Sequence, residues 1–188
     1  MQLINNLASI KLYKPGIVIF DPVVLDGFLK KRDIQESNIF DAFLNDEKLG
    51  WAAIHEGVVI PIYQISEQDY SVFLIEDCES GSSLPEPKFC YSGFNIKIES
   101  GLMIVSDLNA LMDWDKEFFL NYRENYASRM PSNDFLDIPA GLYELELRGY
   151  KGLKTSTSGL GYGVKVNPLE KFNSLNKSIS IDDLDFEL

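Results

Sequence analysis

The stretch from Asp137 to Tyr150, DIPAGLYELELRGY, limits what this chain can fold into more than any other. Pro139 and Gly141 mark a turn; beyond it Tyr143, Leu145 and Leu147 share one side of an extended chain while Glu144, Glu146 and Arg148 share the other. Side chains of a strand alternate between faces, so this period of two describes a strand packed on one face and wet on the other. Such strands belong to antiparallel sheets, because parallel sheets are covered on both faces. The rest of the chain must supply what packs on the apolar side.

The other segments are consistent with that sheet. Ile17 to Phe20 predicts a short strand closed by Asp21-Pro22, with Asp21 placed to cap a helix and Pro22 at its first position. Val24, Phe28 and Leu29, then Ile39, Phe43 and Leu44, recur at helical spacing and predict helices over 22–32 and 36–48, the second ended by Lys48-Leu49-Gly50. Trp51 to His55, Val58 to Ile65 and Tyr70 to Glu76 read as successive strands of a meander, with Pro61 suited to an edge. Phe94, Ile96 and Ile98 alternate with polar residues, and beyond Ser100-Gly101 the run Leu102 to Val105 predicts the return strand of a hairpin. Asp113 is placed to cap a third helix over 113–126, whose Trp114, Phe118 and Tyr122 form an aromatic face. Arg129 to Leu136 reads as a polar loop. Lys151 to Gly163 reads as a mobile connection or long hairpin loop, and Val164 to Val166 as a return strand stopped by Asn167-Pro168. The fold class is therefore α+β, a largely antiparallel sheet or sandwich with two or three helices. A length of 188 residues, 45% of them hydrophobic, suits one domain over 1–177, with 178–188 an acidic segment either docked or frayed.

Charge narrows the function. A net charge of -12 opposes nucleic-acid binding, which depends on neutralising phosphates with Lys and Arg. The first 147 residues hold 11 basic and 24 acidic residues, 148–177 hold 6 and 1, and 178–188 hold 0 and 4. An acidic body thus gives way at Arg148 to a small basic, glycine-rich segment, and the body attracts a basic partner by electrostatic steering. The start MQLINNLASIKLYKPG lacks the basic and apolar regions of a signal peptide, and no stretch approaches the ~18 apolar residues of a membrane span. A cytoplasmic protein without membrane contact is expected, with Cys78 and Cys90 as free thiols rather than a bridge.

No catalytic signature emerges. His55 is the only histidine, so a His-based metal site or a His-paired nucleophile would have to rely on it alone. Cys78 and Cys90 lack the CxxC spacing of a zinc or redox pair. Asp107, Asp113, Asp115 and Glu117 form the densest carboxylate group, and oxygen donors suit Mg or Ca or an acid-base pair. Helix capping and the helix dipole account for three of them without chemistry. Gly159 to Gly163 fits neither the phosphate-loop nor the dinucleotide pattern. No cofactor is expected.

The runs SGLMIVSD (Ser100 to Asp107) and IPAGLYELELRGY (Ile138 to Tyr150) resemble a pattern in small acidic bacterial proteins, the competence-type nuclease inhibitors and toxin-immunity proteins. The resemblance covers about a quarter of the chain and carries no functional residue across. It implies a noncatalytic protein that binds a basic protein partner such as a nuclease toxin. The alternative is a carboxylate-based enzyme or a metal- or ligand-binding domain using Asp107 to Glu117. Residues expected at a partner surface are Arg148, Lys151, Lys154, Tyr162 and Lys165 along the charge boundary, and Asp107, Asp113 and Asp115 in the carboxylate group.

Overall fold

The alternating stretch forms β8 (Gly141–Lys151), with Leu145 and Leu147 fully buried and Glu144, Glu146 and Arg148 on the opposite face. The structure, a computed structural model, describes residues 5–75, 84–172 and 181–188. Among them β8 lies between β9 (Leu160–Leu169) and β5 (Phe89–Ile98) in a five-stranded sheet completed by β4 (Asp69–Leu74) and β1 (Leu7–Lys11), in the order β1-β4-β9-β8-β5. A second sheet orders β3 (Val59–Tyr63), β2 (Gly16–Phe20), β6 (Leu102–Asp107) and β7 (Asn133–Asp137). All neighbours are antiparallel except β4 and β9. This is the expected α+β arrangement, and Pro61 sits in β3 at a sheet edge, where its missing N–H is tolerated.

β2 and β6 are buried at every position because their sheet is covered twice. Ile17, Ile19, Met103 and Val105 face the first sheet, while Val18, Phe20, Leu102 and Ile104 face a helical layer. That layer begins with α1 (Pro22–Lys31), capped as expected: Asp21 Oδ1 accepts from Val23 N at 2.8 Å and Val24 N at 3.1 Å. α2 (Ile39–Asn45) and α3 (Glu47–His55) follow.

Several expectations fail for physical reasons. Gly50 does not end a helix, and Trp51 to His55 is not a strand: Asp46 turns extended, caps Lys48 N and Leu49 N, and starts α3, which carries Trp51 to His55. A Cβ on Gly50 would stand 2.9 Å from the Phe43 carbonyl, so this glycine serves the close approach of α3 to α2. The meander and the hairpin dissolve together. β3 and β4 belong to different sheets, and so do β5 and β6, because Ser100-Gly101 turns a corner between sheets rather than reversing a pair. Periodicity marks strands but does not name their partners.

The predicted aromatic helix is broken into α4 (Asn109–Met112), α5 (Lys116–Leu120) and α6 (Tyr122–Asn125), ending in a 3-10 turn over Tyr126–Ser128. Asp115, not Asp113, caps α5. Its aromatic face is covered as required: Phe119 and Tyr122 pack against Phe20 and Phe135 of the second sheet. The polar loop before the opening stretch proves to be β7, whose buried Asn133 and Asp134 are both bonded. Tyr122 Oη donates to Asn133 Oδ1 at 2.8 Å, and Ser9 N of β1 donates to Asp134 Oδ2 at 2.9 Å. The Ser9 bond, with Asn5 N just ahead of β1 on Asp137 Oδ2 at 2.7 Å, ties β7 to the β1 strand and closes one side of the sandwich.

β9 begins at Leu160, four residues before the expected return strand, and runs through Pro168. Gly161 and Gly163 are strand residues that let neighbours approach; a Cβ on Gly161 would lie 2.6 Å from the Ser71 carbonyl. The last residues are docked. Phe186 is 1% exposed among Phe89, Tyr91 and Phe94, and Leu188 is buried beside it. No helix among the described residues is long and apolar enough to cross a membrane.

Candidate functional site

Opposite the β1–β7 closure, a cleft of about 630 Å³ opens between edge strand β3 and the irregular part of β5. Register slips between Tyr91 and Phe94 of β5, so Ser92 and Gly93 leave the ladder with β8 and line the cleft. α2 and α3 form one wall, and Ile181 to Leu184 of the C-terminal segment form another. The floor is apolar, including Phe94 and Ile60 from the main core. At the mouth Leu44 is 61% exposed and Trp51 39%, both unusual for large apolar side chains.

The charged groups that line the cleft are of one sign. Glu47, Glu144 and Asp182 line it, and no Lys or Arg does among the described residues. Tyr63 Oη donates to Asp182, and this bond first, then burial, pushes the phenol up to about 12, so the proton stays on the tyrosine at neutral pH. Asn95 is buried and donates to the His55 carbonyl at 3.3 Å, fixing β5 to the end of α3. His55 itself is exposed at the end of α3 with its ring near Trp51.

The residues singled out in the sequence fall elsewhere. Tyr162 and Asp107 are fully buried and present nothing to a partner. Tyr162 stacks on Tyr70 and donates to the Phe186 carbonyl at 2.9 Å. Asp107 accepts from Tyr13 N at 3.2 Å, Asn109 N at 3.1 Å and Asn109 Nδ2 at 3.1 Å; burial raises its pKa above the ordinary carboxylate value, and these hydrogen bonds oppose the rise. Asp113 and Asp115 are exposed, Asp115 as a cap. The carboxylates of 107–117 do not converge, and no group of three or more His, Cys, Asp or Glu among the described residues is arranged to hold a metal. Arg148 is half-buried and bonded through Nε and Nη2 to Glu146, while Lys165 stands across from Glu146 in register. Lys151 and Lys154 are exposed. Seven residues of strand separate Lys151 from Glu144, or about 23 Å at 3.3 Å per residue, so the basic loop and the cleft are different surfaces. Cys90 is free and exposed in β5; Cys78, and with it the question of a bridge, lies outside the described residues.

Reading Trp51 to His55 as a strand concealed the site. The available signal was the spacing Glu47, Trp51, Ile54, a helical pattern that continues past Gly50.

The chain matches no protein-family model, and no characterised protein matches it in sequence. Two solved structures are similar in the course of the chain. One is ComJ, inhibitor of the DNA degrading activity of NucA, from Bacillus subtilis, at 9% identity and a TM-score of 0.43 over 89% of this chain and 100% of that one. The other is described as crocagin biosynthetic gene J, at 12% identity and 0.45 over 90% and 98%. Both likenesses are too distant to carry a function across.

Proposed function

We propose that this is a noncatalytic protein-binding protein, an inhibitor or immunity protein for a basic partner such as a nuclease toxin, and that the partner meets the cleft. The observation that carries this reading is the cleft itself: apolar, about 630 Å³, lined by Glu47, Glu144 and Asp182 and by no cation among the described residues. An apolar centre with charges of one sign at its margin is the anatomy of a protein interface, where buried anchors supply affinity and peripheral charge supplies encounter rate. The net charge of -12 favours association with a basic surface from a distance. A nuclease supplies such a surface because it must hold phosphates.

Immobilised protein used to capture partners from the native host, followed by titration from about 50 to 500 mM salt, tests the reading. A stable basic protein partner whose affinity falls with salt is expected. Absence of such a partner, or binding indifferent to salt, overturns it.

A further inference from the structure

We infer that the cleft receives an amphipathic helix of the partner, with apolar anchors on one face and Lys or Arg beside them. This rests on the protein-binding reading above and specifies how the partner is held.

Three observations converge. Phe40, Phe43 and Leu44 of α2 and Glu47, Trp51 and Ile54 of α3 line the cleft, each set at helical spacing within its own helix, so two short helices form one wall. Side chains on helices pack as ridges into grooves, and no helix among the described residues covers Leu44 of α2 or Trp51 of α3.

The strand edges beside the cleft are poor templates for an extended peptide. Pro61 removes a donor from the middle of β3. On β5, Lys97 N already donates to the Gly57 carbonyl at 2.8 Å and Asn95 Nδ2 to the His55 carbonyl. A segment entering an apolar cleft with few free backbone partners must satisfy its own N–H and C=O groups, and a helix does so.

Charge selects the flanks. Glu47 of α3, Glu144 of β8 and Asp182 line the cleft. A helix with cations flanking its anchors complements these groups, and an acidic one is repelled.

The test uses the full chain and three synthetic peptides of about 18 residues, long enough to form a helix. One has Leu and Phe at i, i+3, i+4 and i+7 with Lys on the remaining face, one is its scramble, and one carries Glu in place of Lys. Binding is measured by calorimetry. The basic amphipathic peptide is expected to bind at least about tenfold tighter than either control. Leu44→Gln, on an exposed site that leaves the fold intact, is expected to weaken it about fivefold or more, and Lys151→Gln on the distant loop to leave it unchanged. Equal binding of the scramble, indifference to Leu44→Gln, or a cleft that admits none of the peptides overturns the inference. So does a small apolar dye that occupies the cleft and is not displaced by the basic peptide, since the cleft then serves a small molecule. If the peptides fail while a native basic partner still binds with salt dependence, only the helical mode falls. If no basic protein binds, the protein-binding reading falls with it.

Discussion

At Asp21 one buried carboxylate serves two elements. Oδ1 caps α1, while Oδ2 accepts from Glu99 N at 2.8 Å, Ser100 N at 2.7 Å and Ser100 Oγ at 2.8 Å, pinning the corner where the chain passes between sheets. Asp21→Ala removes the cap and leaves the partly buried Glu99 and Ser100 donors at that corner without their acceptor, which costs about 3 kcal/mol. For a chain of this length that lowers the melting temperature by about 6–12 °C. Thermal unfolding checks this, and a shift below about 2 °C would show that the corner holds without the carboxylate. Asp107 acts in the opposite sense. Burial raises its pKa in the folded state, so the folded protein binds this proton more tightly than the unfolded chain does. The group costs nothing below the unfolded value near ~4; the cost grows as pH rises towards the folded value and is constant beyond it. Asp107→Asn is therefore expected to gain stability relative to the parent between acid and neutral pH. Denaturant melts at several pH values measure the difference, and parallel curves would remove the assignment.

Among the elements, β9 and the C-terminal segment support sharp expectations. Gly161→Ala drives a methyl group onto the Ser71 carbonyl, a backbone atom that cannot rotate away, and about 2 kcal/mol of destabilisation is expected by denaturant unfolding. Phe186→Ala empties an aromatic site among Phe89, Tyr91 and Phe94 and is expected to cost about 3–5 kcal/mol, seen by the same measurement. A frayed segment would cost nothing. Which elements were legible in the sequence follows from where their signals live. β8 was plain because one of its faces is wet, and the α1 cap because Asp-Pro acts locally. β7 was hidden because its Asn133, Asp134 and Asp137 hydrogen-bond across to neighbouring elements, so a strand has the composition of a loop. The pairing of β5 with β8, and of β6 with β2 and β7, depends on residues far away in sequence and leaves no trace in a local window. α3 was misread because Ala52, Ala53 and Ile54 form a short apolar run, and such runs fit a buried strand or a helix equally well.

At the scale of the whole molecule, charge was legible and its geography was not. The acidic total and the basic segment after Arg148 were visible in composition, yet Arg148 is engaged by Glu146 and Lys151 stands about 23 Å along β8 from the cleft residue Glu144. The cleft is assembled from α2, α3, β3, β5 and the C-terminal residues, and no local pattern announces such a convergence. Two surfaces therefore compete for the partner: the basic loop singled out by sequence and the acid-lined cleft built by the fold. The affinity of a captured basic partner for Glu47→Lys and for Lys151→Gln, measured side by side at low salt, decides between them. About tenfold or greater weakening by Glu47→Lys, with Lys151→Gln unchanged, is the predicted result. Full affinity in Glu47→Lys together with a loss in Lys151→Gln would contradict the cleft and return the partner to the loop.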